Sequence, residues 1–266
     1  LNTGNIDFDG DVNIKGNVIT GLRINAIGSI YISGHVEGAI ITTQKDLILQ
    51  GGINANGVGK VYAKGNITGK FFENAEVYAE GDINAGYILN SNMTAIGKII
   101  IDGAKGVIYG GELTGVMGIE TPLLGNNSHT ITAVRVGPSK KLQTEYANLL
   151  IKIKEIDSEI SMYENVLRKF DLIKKSAPEK LDKQAYTKVF QSKIIKTAEK
   201  AKFQSESKRL FDIIRESGSS GVRIEKAIYP GARVYIDDVV FQPNEEMNHL
   251  TVRKVNEKIV VRDYDD

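Results

Sequence analysis

The chain has 266 residues, with 34 Lys and Arg against 33 Asp and Glu, so its formal net charge is +1 and no overall field favours nucleic acid or an acidic surface. It contains no Cys, which excludes disulfides, thiol catalysis and thiolate metal sites together and fits a reducing compartment. The length can bury a real core and accommodates one long domain or two ordinary ones, and no apolar run reaches the ~18 residues of a spanning helix.

The opening residues, LNTGNIDFDG, have neither a basic start nor an apolar signal stretch. They are already strand-like and start on Leu, so we expect an upstream domain outside this chain. From Gly10 a phrase recurs: GDVNIKGNV, then GSIYISGHV from Gly28, KDLILQGGI from Lys45, GKVYAKGNI from Gly59, AEVYAEGDI from Ala75 and GKIIIDGAK from Gly97. The spacings are 18, 17, 14, 16 and 22. Each phrase alternates apolar and other residues (Val12/Ile14, Ile30/Ile32, Leu47/Leu49, Val61/Ala63, Val77/Ala79, Ile99/Ile101), the mark of a half-buried strand.

A glycine closes each phrase (Gly16, Gly34, Gly51, Gly65, Gly81, Gly103). The next residue is Asn17, His35, Gly52, Asn66, Asp82 or Ala104. Five of those six types tolerate left-handed backbone, so a sharp left-handed corner is expected there. A second corner is expected at Gly21, Gly38, Gly69 and Gly86. Strands this short, bent this often, suit the coils of a parallel β-helix, whose equivalent apolar residues stack into ladders. The crossover preference favours the right hand. The expectation is therefore a mainly β fold: a right-handed parallel β-helix of about eight coils, ~40 Å long at the usual strand spacing. An antiparallel β-sandwich is the alternative.

Glycine then stops. Residues 1–137 hold 24 of the 27 Gly and residues 138–217 hold none. This divides the chain into a β-helix over 1–138, a helical insertion over 139–217 and a return to β structure with capping strands over 218–266. Leu142, Tyr146, Leu149, Ile153, Ile156, Ile160, Tyr163, Leu167 and Phe170 step by 4 and 3 without a break, a coiled-coil seam. KKSAPEKLD breaks the helix at Pro178. A second, more polar seam is read over Tyr186, Phe190, Ile194, Thr197, Ala201, Gln204, Lys208 and Phe211. The two helices should fold back antiparallel as an arm about 50–55 Å long, inserted between coils. After ESGSSG the alternation returns in VRIEKAIYPGARVYIDDVVF. The end, LTVRKVNEKIVVRDYDD, reads as a charged hairpin around Asn256-Glu257, whose Lys and Arg discourage edge pairing.

TGNIDFDGDVNIKGNV, VEGAIITTQKDLILQGGI, AEVYAEGDINAGYI, GAKGVIYGGE and the late IYPGARVYI resemble, in that order, the flagellar assembly protein A family. The resemblance covers essentially the whole chain. It implies a cytoplasmic, non-enzymatic bacterial β-helix linked to flagellar assembly or cell-pole organisation, usually with a further N-terminal domain. It supplies no catalytic residues.

The residues themselves point to no catalytic, cofactor or metal site. His35, His129 and His249 form no metal-ligand motif. Asp7, Asp9 and Asp11 lack the Gly and Glu placement of a calcium loop. GINANGVGK fails as a phosphate loop because Val61 follows Lys60, and GSSG is a linker. A polysaccharide lyase or hydrolase is the catalytic alternative and needs clustered acids. The outward residues Lys15, Ser33, Gln50, Lys64, Glu80 and Asp102 vary in character, with Glu80 and Asp102 as possible neighbours. Residues 139–217 carry 18 basic against 12 acidic groups, a net +6, and the rest a net −5. Lys193, Lys196 and Lys200 share one helical face beside the seam. Either their stems cover the seam while the ammonium groups stay in water, or they are the candidate docking residues for an acidic protein partner or an anionic membrane, with nucleic acid last. Self-association through exposed coil edges is a further expectation.

Overall fold

The computed structural model describes residues 4–103, 106–256 and 258–264. The chain divides into two compact units, Leu1–Ser139 with Glu216–Asp266, and Lys140–Arg215.

The first unit is a parallel β-solenoid with three faces. On the first, Ile6, Ile24, Ile41, Val61, Val77, Met93, Leu113, Val134 and Val234 pair in parallel register, one per coil. On the second, Val12, Ile30, Leu47, Ile67, Ile83, Ile99, Ile119 and Val222 do the same. The third stacks Val18, Val36, Ile53, Phe72, Ile88, Ile108, Leu124 and Ile228. The first face has nine rungs and the other two have eight each, about seven turns in all, where about eight coils were expected. The pairing fixes parallelism; the right-handed sense rests on the crossover preference.

The coil length explains the uneven spacing of the repeated phrases. Equivalent residues on successive coils lie 18, 20, 16 and 16 positions apart at Asp11–Ser29, Asp46–Asn66, Asn66–Asp82 and Asp82–Lys98. The phrases from Gly59 and Ala75 belong to the first face, whereas those from Gly10, Gly28, Lys45 and Gly97 belong to the second. Aligning them slips one face and later regains it, which turns steps of 20 and 16 into the apparent 14 and 22. All three faces bury the same alternation, so hydropathy alone cannot number them.

The interior is aliphatic and closed. Ile30, Ile32, Ile41, Leu47, Ile53, Ile67, Phe72 and Ile83 have no exposed surface. Each such side chain contributes about 1.5–3 kcal/mol by leaving water. Gly69 is not the corner expected of it. It lies inside strand Ile67–Gly69, between Leu49 and Ala85, and a Cβ there would strike the Phe72 ring. The missing side chain makes room for the largest buried one. Among the described residues no buried side-chain polar atom lacks a partner. Thr132, for example, accepts from Gly110 N–H and donates to Thr130 O.

The Gly–Asx corners work differently from the expectation. Among the described residues of those pairs only Gly52 has positive φ, 77°; Ala104 lies outside them. The side chain of the second residue is what matters. Asn17 Oδ1 accepts from His35 N–H at 2.9 Å, Asn66 from Asp82 at 2.8 Å and Asp82 from Lys98 at 2.7 Å; Asp46, which follows Lys45 rather than a glycine, accepts from Asn66 in the same way at 2.7 Å. A neighbouring glycine leaves space for that oxygen: a Cβ on Gly81 would collide with Asn66 Oδ1, and one on Gly97 with Asp82 Oδ1. The left-handed corner lies elsewhere, where the third face turns back to the first. Asn74, Asn90 and Gly110 occupy it in successive coils with φ of 50°, 48° and 73°. Asn and Gly tolerate that conformation best.

The helical insertion falls within a coil rather than between coils. Strand Thr132–Val136 takes the first face and Gly221–Ile228 resumes on the second, against Gly118–Leu124. The preceding coil joins these faces by a short corner at Val116. Gly137 N–H (3.1 Å) and Ser220 Oγ (2.9 Å) both donate to the Val116 carbonyl, so the two ends of the insertion meet over that corner. The tube then closes with antiparallel strands: Val239–Phe241 on Ala232–Ile236, Met247–Val255 on Gly221–Ile228, and Lys258–Asp263 outermost. Asn256, φ 49°, sits at the expected hairpin turn; Glu257 lies outside the described residues.

The second unit comprises two long helices, α1 (Lys140–Ser176) and α2 (Lys183–Ser217), joined through a 3₁₀ turn at Pro178–Lys180. Asp182 Oδ1 caps α2 by accepting from Ala185 N–H at 2.9 Å. The 37 residues of α1 make a rod of about 55 Å. Tyr146 meets Phe211, and Phe170 meets Tyr186, so the helices run antiparallel.

Candidate interaction surfaces

On α1 the inward row is the expected one, with Leu142, Leu149, Ile156 and Leu167 buried. On α2 it is displaced by one residue. Phe190, Ile194 and Phe211, read as seam, are 45%, 53% and 46% exposed. The row with restricted exposure runs Tyr186, Val189, Lys193, Lys196, Lys200, Phe203, Ser207, Leu210 and Ile214. It keeps the same 4-and-3 rhythm but is more polar, so a reading led by apolarity passes over it.

The three candidate docking lysines lie in that row and face acids of α1. Lys193 Nζ is 2.9 Å from Glu164 Oε1. Lys196 Nζ is 3.1 Å from both Glu159 Oε2 and Glu199 Oε2, and Lys200 pairs with Asp157. The hydrogen bond and charge of Lys193 hold the Glu164 carboxyl below the usual Glu range. Hydrogen bonds to Glu159 and Glu199 hold the Lys196 ammonium above the usual Lys range. The basic face noted in the sequence is thus met by acids on the adjoining helix.

The first face of the solenoid carries a shallow groove of about 550 Å³ on its outer side. Tyr62 and Tyr78 stack along it, 5.5 Å between ring centres and 4° from parallel. The acids in and beside it are engaged: Glu76 with Lys60 at 2.8 Å, Glu112 with Arg135, and Glu80 with the Tyr62 hydroxyl at 2.7 Å. Glu80 and Asp102, considered as neighbours, sit at different corners. Glu80 follows the first face, where its N–H donates to Ala63 O, and Asp102 follows the second, where its N–H donates to Ala85 O. Ser33 and Gln50 follow the second face and Lys64 the first, so these outward residues never formed one stack.

The remaining sequence motifs have structural partners. Asp7 accepts from Asn25 and Asp11 from Ser29 N–H. Asn56 and Gly57, in the glycine-rich stretch, form a left-handed turn. His35 packs against Phe71, which stacks on Tyr87, and His249 against Tyr264. Burial, and then a hydrogen bond to Glu73, raise the Tyr87 hydroxyl above the ordinary tyrosine range. Among the described residues no group of three or more acids or histidines is placed to hold a metal, and no helix is long and apolar enough to cross a membrane.

A three-faced parallel β-solenoid interrupted within one coil by a pair of long helices defines the class. Residues 1–259 match the family model described as the Flagellar Assembly Protein A beta solenoid domain, and the chain belongs to that family. No match is found among curated proteins or among solved structures.

Proposed function

We propose that this chain is a non-catalytic bacterial scaffold that acts through protein–protein contacts in flagellar assembly or cell-pole organisation, in the cytoplasm. The observation that carries this reading is the solenoid interior. Aliphatic side chains fill it coil after coil, which leaves recognition to the outer surface and to the helical pair. The family supplies the link to flagellar assembly. The test replaces the segment between Val136 and Val222 by the short Val116 corner of the preceding coil and scores flagellar number and swimming in the strain that carries it. The solenoid should fold, because Gly137 and Ser220 already meet over that corner, while flagellation falls. Full flagellation by the hairpin-less chain would overturn a role for the arm.

The groove with Tyr62 and Tyr78 is where the alternative, a polysaccharide-active enzyme, would act. Turnover of an anionic polysaccharide that Glu76→Gln abolishes would favour it over the scaffold.

A further inference from the structure

We infer that the outer face of α2 is a docking surface for an acidic, amphipathic helix of another protein. This rests on the scaffold reading and names the chemistry of its partner.

Helix α2 has two stripes with the same heptad rhythm. One is occupied by α1. The other starts at Phe190 and Ile194, with Ile195 alongside at 65% exposure, and runs to Phe211, whose ring also meets Tyr146 of α1. A row that steps by 4 and 3 matches the ridge of a second helix, not the broad apolar face of a segment lying in a bilayer. After Ile194 the stripe carries Thr197 and Ala201, small enough for a neighbouring backbone to come close, and then the polar Gln204 and Lys208.

Charge defines the occupant. Between Lys183 and Lys208 the only acids of α2 are Glu199 and Glu206. Glu199 is held by Lys196 and Glu206 by Arg209, so neither offsets the outer face. Lys188 and Lys202 flank the stripe and Lys208 lies within it; all three are exposed and have no ion pair among the described residues. The lysines of the inner row already have acids on α1; these three do not. A second copy presenting the same face would set lysine against lysine. A helix with apolar residues at a and d and Glu alongside complements both the stripe and its flanks.

The experiment uses the full chain and a labelled three-heptad peptide with Leu at a and d and Glu at e and g. Its controls are the same peptide with Lys for Glu, and phosphatidylcholine–phosphatidylserine vesicles. Fluorescence anisotropy should show binding of the acidic peptide only, weakening with added salt. Ile194→Glu with Ile195→Glu should weaken it at least ~10-fold, a factor worth about 1.4 kcal/mol. Lys202→Glu with Lys208→Glu should weaken it in the same direction, with helical circular dichroism unchanged in both variants. The inference fails if the acidic peptide does not bind, if both peptides bind alike, or if the variants bind as well as the parent. It fails equally if only vesicles are bound, or if the stripe drives self-association that Ile194→Glu abolishes. A chain that binds no acidic peptide, yet loses flagellation when its hairpin is removed, keeps the scaffold role and loses this surface.

Discussion

Each inner coil of the solenoid is held twice, by backbone hydrogen bonds to the coils on either side and by aliphatic side chains with no exposed surface. The two helices satisfy their backbones internally and hold one another through side chains alone. Their meeting surface includes three lysines paired with acids. The difference teaches where an error of one residue matters. In a strand it would exchange inside for outside, and the ladder forbids it. On α2 it rotates the helix by about a quarter turn onto another stripe with the same rhythm, and the row that faces α1 is the one that buries Leu210 and sets Lys193, Lys196 and Lys200 against its acids.

The largest expected effect tests the double support of the coils. Phe72→Ala removes the biggest fully buried ring and leaves the space beside Gly69 empty, which should cost about 3–5 kcal/mol in chemical denaturation. A loss typical of a surface site would mean that the interior is not packed as described.

A middle-sized effect is expected at the corners. Gly97→Ala drives a Cβ into Asp82 Oδ1 and should cost about 1–3 kcal/mol. Asp82→Ala removes the acceptor of Lys98 N–H and should cost about 1 kcal/mol. In the double variant the collision is gone, so the two losses should sum to more than the measured one. Strict additivity would show that the glycine is there for some other reason.

The smallest effect belongs to the helical pair. Its ion pairs are solvent-exposed, so Lys196→Met should lower the thermal midpoint of the helical signal slightly, and less still in high salt. Glu164 has a carboxyl pKa depressed by Lys193, so its stabilisation is present above the unfolded value of 4.5 and is lost as pH falls through the lower folded value. Lys196 is raised, so its share is complete below 10.5 and is lost as pH climbs past the higher folded value. Helical melts at pH 7 and pH 3 should therefore differ more for the parent than for Glu164→Gln. An equal shift in both would remove this pair from the account.

Much of the architecture was legible in the chain. Period-two alternation repeated at short spacing can bury its apolar side only by stacking, and a gap of 80 glycine-free residues with a heptad row permits long helices. The three apolar faces read alike, so the phrases from Gly59 and Ala75 look equivalent to the others although they lie on a different face. The residues after the glycines are ambiguous in sequence because Asn and Asp suit both a left-handed turn and a side-chain acceptor. Asn74 and Asn90 stand two residues beyond Phe72 and Ile88, a regular signal that the more frequent Gly–Asx phrase hid.

By itself the sequence determined which residues seek shelter from water and with what period, because hydropathy and backbone preference are local properties. It therefore settled a stack of short strands and a pair of long helices. Tertiary structure alone decided which strands are rungs of the same ladder, that the helices leave from within a coil, and which stripe of α2 faces α1. Those outcomes depend on atoms 16 or more residues away: an Asn oxygen waiting for the next coil's N–H, a glycine vacated for it, and three acids that draw three lysines inward.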